Sequence, residues 1–168
     1  MDGADDSSYP FSLPVVRNLD RLKLESNVTF LVGENGTGKS TLLEAIAINY
    51  GFNPGKSLHE QSHGESFMAL LMNRFYGNGL YLLDEPESAL SPSRQMALLA
   101  RMYDLVKQNS QFIIATHSPI LLAYPGAQIF VLKENGITLT PYEETEHYVI
   151  TKQFLNNPDG MLKYLMEE

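Results

Sequence analysis

From Asn27 to Asn49 the chain reads NVTFLVGENGTGKSTLLEAIAIN. Asn27 to Val32 is a short run of β-branched and apolar residues, and Ser40 to Asn49 carries apolar residues at helical spacing. Between them Gly33-Glu34-Asn35-Gly36-Thr37-Gly38-Lys39-Ser40 satisfies G-x-x-x-x-G-K-[ST]. The stretch therefore reads as strand, tight loop, helix. Glycines let successive backbone N–H groups converge on phosphate oxygens where side chains would block the approach. The helix after the loop, starting at Gly38, aims a partial positive charge of about half a unit at the same anion. Gly33, Asn35, Gly36, Thr37, Gly38, Lys39, Ser40 and Thr41 are thus the expected nucleotide contacts. Lys39 is expected to bridge the β and γ phosphates, Ser40 to ligate Mg²⁺ through its hydroxyl, and Thr41 to lie near the α phosphate.

Working outward, Leu80 to Leu83 (LYLL) is a continuous apolar run that leads into Asp84 and Glu85, as expected of a strand buried on both faces of a parallel sheet. Such a strand gains nothing from ending in two repelling carboxylates unless a cation neutralises them. Asp84 is expected to hold Mg²⁺ through a water, and Glu85 to polarise the attacking water beside the γ phosphate. Ser91-Pro92 supplies an N-cap and first-turn pair for a helix to about Asn109, and Gln111 to Ala115 (QFIIA) is a second buried strand. Thr116-His117-Ser118-Pro119 follows it, placing His117 at the carboxyl edge where ligands of such folds bind. Gln128 to Leu132 and Gly136 to Thr140, joined through Asn135-Gly136, read as an edge hairpin. Asn157-Pro158 opens a short terminal helix.

The expected fold class is α/β: one P-loop domain over residues 1–168, mainly parallel, with helices on both faces. The chain has 168 residues, 43% of them apolar, which suits one compact domain. A net charge of −8 argues against a non-specific nucleic-acid coat. The absence of cysteine excludes a thiolate nucleophile or metal site and suits a reducing cytosol. The acidic start Met1 to Ser8 is unlike a secretory signal, and Phe112 to Tyr124 is broken by His117 and Pro119, short of the roughly 20 residues a spanning helix needs. A cytoplasmic protein with no membrane insertion is expected.

The motifs GENGTGKST, LYLLDEPE and ATHSP, in that order, resemble those of soluble ABC-type ATPases. The resemblance is to the SMC-like branch of repair and chromosome ATPases among the AAA-family P-loop proteins, rather than to transporter subunits. It implies Mg-dependent ATP hydrolysis in a homodimer that closes on ATP and opens after turnover, with Lys39, Glu85 and His117 as catalytic residues. It also implies a signature loop that caps the nucleotide of the other subunit. Gln61-Ser62-His63-Gly64-Glu65 is similar to that loop, Ser62 and Gly64 matching and His63 and Glu65 departing. Where the family has an Asp in the loop that couples the subunits, Ser88-Ala89-Leu90-Ser91-Pro92 has Ser. Tyr9 and Phe11 are candidates to stack on adenine.

The family places further strands, a Mg²⁺-sensing Gln and a helical arm between the phosphate loop and the signature. Here Lys39 and Ser62 are 23 positions apart, so that subdomain has no room: either the chain is naturally minimal or, as favoured, a segment is missing at about 53–57. Four other readings compete. His59-Glu60-Gln61-Ser62-His63 is literally H-E-x-x-H, the pattern of zinc hydrolases, but Gly55 and Gly64 bracket the helix it needs. A GTPase would carry an N-K-x-D base reader, which does not occur, and a small-molecule kinase would carry an Arg-rich lid, whereas arginine is scattered at 17, 21, 74, 94 and 101. The altered signature and missing Gln also suit a non-hydrolysing, ATP-gated interaction module.

Overall fold

The computed structural model describes residues 22–51, 64–133 and 136–166. In chain order they form strand β1 (Val28–Val32), helix α1 (Lys39–Asn49), helix α2 (Gly64–Arg74), strand β2 (Leu80–Asp84), a 3₁₀ turn over Pro86–Ala89, helix α3 (Pro92–Val106) and strand β3 (Gln111–Ala115). The short helix α4 (Pro119–Leu122), strands β4 (Gln128–Lys133) and β5 (Gly136–Leu139), a 3₁₀ turn over Tyr142–Glu144, and helices α5 (Glu146–Asn156) and α6 (Pro158–Met166) complete them.

The strands make one five-stranded sheet in the order β2-β3-β1-β4-β5. Four are parallel, and β4 to β5 is the antiparallel hairpin expected at the edge. The chain leaves β1 toward one side of the sheet and returns with β4 on its other side, so β1 stands at the topological switch point where α/β sheets bind ligands.

Side chains alternate across β1, as a period of two requires. Val28, Phe30 and Val32 join Phe112 and Ile114 in a core covered by α2, α3 and α4, through residues such as Leu71, Leu98 and Leu121. Leu31 joins Ile113, Ala115 and Phe130 on the opposite face, covered by Leu42 and Leu43 of α1. Helix α3 follows its apolar spacing: Gln95, Leu98, Met102 and Leu105 are its buried residues and fall on one face.

The α/β class, the parallel sheet with helices on both faces and the edge hairpin agree with the sequence. Two details differ. Ser91 sits at the N-cap of α3, but its side chain makes no capping hydrogen bond. Strand β2, read as doubly buried from its unbroken apolar run, is an edge strand among the described residues, with Leu80, Tyr81 and Leu82 only partly buried. An apolar run reports that both faces touch something. It does not report whether both edges are paired. Phe75, Tyr81 and Phe112 form a stack, with ring centroids 4.1 and 5.0 Å apart, which gives β2 its apolar contacts on one face.

Phe112→Ala removes the fully buried ring at the inner end of that stack and should lower unfolding stability by about 3–5 kcal/mol in urea titration. Leu139→Ala, on exposed β5, should stay within about 0.5 kcal/mol of the parent.

Candidate functional site

Strand register assembles the site. Asp84 of β2 pairs with Ala115 of β3, and Ala115 pairs with Leu31 of β1, so these residues form one row across the sheet. One step beyond the row stand Glu85, Thr116 and Val32, and then His117 and Gly33. At a strand spacing of about 4.8 Å the acidic pair lies roughly 10 Å from the loop strand, with the His117 loop between them. Three motifs far apart in sequence thus share one edge.

The loop from Gly33 to Gly38 is shaped by its glycines. Gly36 and Gly38 have φ of 86° and 92°, in the left-handed region that glycine adopts without strain. At Gly33 the constraint is steric, because an added Cβ would lie 2.5 Å from the Leu132 carbonyl oxygen and 2.7 Å from Thr37 Oγ1. Thr37 turns inward, its hydroxyl donating to the Glu34 carbonyl at 2.8 Å. Helix α1 begins at Lys39 with Gly38 as N-cap, and no side chain caps its first turn. Asn35, Gly36 and Ser40 are exposed, whereas Thr41 is buried beneath the loop.

Lys39 is only 5% exposed. Its ammonium donates to the carbonyls of Gly33 at 2.7 Å and Glu34 at 3.1 Å, so it rests on the loop's own backbone. Burial lowers its pKa, while Glu85, Asp84 and Glu87 oppose that shift.

On the facing side, Glu85 adopts φ 45° and ψ 52°, a left-handed conformation just before Pro86. Among the described residues the other non-glycine positions at positive φ are Asn78 and Asn109. Asn tolerates that region through local hydrogen bonds, whereas Glu has no such relief, so the backbone strain of about 1–3 kcal/mol falls on Glu85. Its N–H donates to the Ala115 carbonyl at 2.8 Å. The following turn brings Glu87 back, and its Oε1 accepts the His117 backbone N–H at 2.5 Å. Gln95 ties the two loops together: its amide donates to the Leu90 carbonyl at 3.0 Å, and its Oε1 accepts from Ser118 Oγ at 2.5 Å.

His117 Nε2 stands 3.4 Å from Glu85 Oε1, a charge-contact distance without hydrogen-bond geometry, so Nε2 has no hydrogen-bond partner. Asp84 Oδ1 and Glu87 Oε2 are likewise buried without partners. Buried polar atoms are ordinarily satisfied, and three of the six unpartnered ones among the described residues lie together at this edge. A hard cation fits the acidic side: Asp84 Oδ1 and the exposed Ser40 hydroxyl are oxygen donors, and Mg²⁺ takes one or two protein oxygens beside phosphate and water. Among the described residues no group of three or more His, Cys, Asp or Glu is arranged to hold a metal by itself.

Sequence reasoning overlooked two groups. Glu87, which no motif singles out, braces the His117 loop. His147, on the first turn of α5, was not considered at all, yet its Nε2 lies 3.1 Å from His117 Nδ1. The available signal was Thr145, a good N-cap directly before Glu146. A cavity of about 930 Å³ borders the loop at Gly33, Asn35 and Thr37 and reaches His117, His147 and Lys133. Its walls do not include Lys39, Asp84 or Glu85, so it flanks the phosphate edge.

Gly64 opens α2, which packs on α3 and contributes Leu71 to the core. Tyr9, Phe11, Ser62, the junction at 53–57 and the H-E-x-x-H run lie outside the described residues.

Two families match the chain: one described as AAA domain, putative AbiEii toxin, Type IV TA system over residues 57–123, and one described as AAA domain over residues 9–65. An uncharacterised ABC transporter ATP-binding protein of Haemophilus influenzae is 34% identical over 77 residues, covering 45% of this chain. The chain spans 29% of the length of that curated relative. Among solved structures, an ATP-binding cassette of an ABC transporter in its ADP conformation is 15% identical with a TM-score of 0.47, over 86% of this chain and 90% of that one. A Clostridium perfringens part of an ABC transporter complex is 20% identical with a TM-score of 0.48, over 88% and 90%. The chain is therefore similar to AAA-type domains and to ABC ATP-binding proteins, as its motifs imply. Among the described residues no helix is long and apolar enough to cross a membrane.

Gly33→Ala pushes a Cβ into backbone and should cost about 3 kcal/mol, the upper end of ordinary overpacking. Gly36→Ala meets open space and should cost only about 1 kcal/mol of left-handed strain. Thermal unfolding without nucleotide should show the larger fall for Gly33→Ala.

Proposed function

We propose that this chain, as a single nucleotide-binding domain, binds ATP with Mg²⁺ at the carboxyl edge of the sheet and hydrolyses it. The observation that carries the reading is the convergence of unpartnered buried groups, Asp84 Oδ1, Glu87 Oε2 and His117 Nε2, opposite a glycine loop and a buried lysine. The family matches support the same reading, since both are AAA domains.

The residues divide the work by position. Backbone N–H groups of Gly36 to Ser40 and the uncapped start of α1 receive the β phosphate. Lys39 exchanges two neutral carbonyls for β and γ phosphate oxygens, a gain because charge-assisted hydrogen bonds are roughly twice as strong as neutral ones. Ser40 and Asp84 would hold Mg²⁺, Asp84 through a water, and the ion when bound neutralises charge on the β and γ oxygens. Glu85 orients the attacking water and takes its proton. The new bond is from water oxygen to Pγ, and the bond that breaks is from Pγ to the β–γ bridging oxygen, so ADP leaves. His117 presents Nε2 to the γ phosphate from beside Glu85. Strain at Glu85 suits this task, since a backbone held in a rare conformation aims the carboxylate without a search at each turnover.

The loop residues Asn35, Gly36 and Ser40 are exposed, which supports a reading in which a second copy covers them. In the proposed dimer Ser62 and the start of α2 at Gly64 from the partner approach the γ phosphate, so that ATP binding closes the dimer and hydrolysis opens it. The departures at His63 and Glu65, and Ser in place of the coupling Asp, favour a second reading in which the module binds ATP and changes partners without hydrolysis.

Lys39→Ala should abolish binding of a fluorescent ATP analogue. Glu85→Gln should keep that binding, lower phosphate release at saturating ATP by about 10²–10⁴-fold, and enrich the dimer in light scattering. Phosphate release unchanged in Glu85→Gln would remove Glu85 from the role. No release from the parent chain at saturating ATP and Mg²⁺ would select the non-hydrolysing reading.

A further inference from the structure

His117 and His147 face each other ring to ring, with Nδ1 of His117 3.1 Å from Nε2 of His147 and the planes tilted by 44°. One hydrogen lies between these nitrogens, and which ring carries it fixes the tautomer of the other. We propose that His147 is a positioning residue that donates its Nε2 hydrogen to His117 Nδ1, so that His117 carries its own hydrogen on Nε2, toward Glu85.

The surroundings select this arrangement. A carboxylate only accepts hydrogen bonds, and Glu85 Oε1 lies 3.4 Å from His117 Nε2. With the hydrogen on Nε2 the contact is attractive. With the hydrogen on Nδ1, a nitrogen lone pair would face the carboxylate, and the buried Nδ1–H of His147, which has no partner, would be left unpaired as well. The proposed arrangement leaves the His147 Nδ1 lone pair unsatisfied and gives the His117 Nε2–H, which makes no hydrogen bond, an attractive charge contact with Glu85 in place of a repelled lone pair. Burial, and next the nearness of His117, hold the His147 pKa below the ordinary imidazole value, with Lys39 adding and Glu146 and Glu87 opposing. A neutral His147 has one hydrogen to place, and Nε2 is the nitrogen with an acceptor.

His147 is also held where it must be. Thr145, 1% exposed, is the N-cap of α5: its hydroxyl accepts from the Tyr148 N–H at 3.4 Å and donates to the Tyr142 carbonyl at 2.7 Å. Tyr142 in turn donates its phenolic hydrogen to the Pro119 carbonyl at 2.9 Å, two residues beyond His117. The start of α5 is therefore fastened to the His117 loop by two independent connections, one through this chain of bonds and one through the imidazole pair. Such an arrangement orients a working group through its other nitrogen, as partners of metal-bound His do.

The consequence for turnover rests on the ATPase reading: an Nε2–H on His117 can donate to a γ phosphate oxygen, whereas a lone pair there would repel it. The tautomer does not rest on that reading and is measured separately. In ¹⁵N-labelled full chain at pH 8, long-range ¹H–¹⁵N spectra should show His117 with hydrogen on Nε2 and Nδ1 accepting. His147→Ala should bring the Nδ1–H form of His117 into the spectrum, and His147→Gln, whose amide reaches the same point, should restore the parent pattern. In phosphate release, His147→Ala should lower kcat roughly tenfold to a hundredfold with little change in KM, the range seen when a partner orienting a functional His is lost. His147→Gln should recover most of it. In a His117→Ala background, adding His147→Ala should change kcat less than twofold.

Hydrogen on Nδ1 of His117 in the parent chain overturns the proposal, and so does a His117 spectrum unchanged by a folded His147→Ala. If the spectra behave as expected while no variant, nor the parent, releases phosphate, the positioning stands and the hydrolytic reading fails.

Discussion

The register row that runs from Asp84 through Ala115 to Leu31 is the constraint on which the site depends. Parallel strands all end at the same edge, so whatever follows each strand is delivered to one place. The row stacks an acidic pair, an imidazole loop and a glycine loop side by side at spacings fixed by backbone hydrogen bonds. Sliding β2 by one residue against β3 would move the carboxylates by about 3.3 Å and exchange the faces of all its side chains. The apolar stack of Phe75, Tyr81 and Phe112 opposes such a slip, so core packing holds the chemistry in register.

That arrangement gathers like charges. Asp84, Glu85 and Glu87 crowd one turn, and Lys39 carries positive charge against them. Each carboxylate is steadied differently. Glu87 accepts a backbone N–H and so acts as a brace, Glu85 is aimed by a strained backbone, and Asp84 keeps one buried oxygen unpaired. An edge optimised for stability alone would neutralise these groups with further side chains. Their persistence, together with a helix start that no side chain caps, is the conflict between local stability and ligand readiness that marks functional surfaces.

How far the sequence discloses this depends on the range of each constraint. The strand, loop and helix around Gly33 to Thr41 are legible because a phosphate loop needs its glycines and lysine at consecutive positions, and the structure sets a separate physical reason behind Gly33 and Gly36. The acidic and imidazole motifs are legible because each terminates an apolar strand. The edge position of β2 is not, since an apolar run records contact on two faces and carries no information about hydrogen bonding along its sides. His147 is not legible either. It sits 30 residues from His117, and their contact exists only because Thr145 and Tyr142 fasten α5 to the loop after β3.

The resting place of Lys39 connects these features. Its ammonium donates to the carbonyls of Gly33 and Glu34, so the loop is held by its own lysine. In the proposed function phosphate oxygens would replace these acceptors by stronger ones, with little conformational entropy lost because the side chain is already buried. The acidic side shows the same logic. Glu87 and Gln95 hold the His117 loop through backbone and side-chain bonds that no ligand has to supply. Both walls of the site are thus set by internal hydrogen bonds, and Asp84 Oδ1, Glu87 Oε2 and His117 Nε2 on the acidic side stay unpaired.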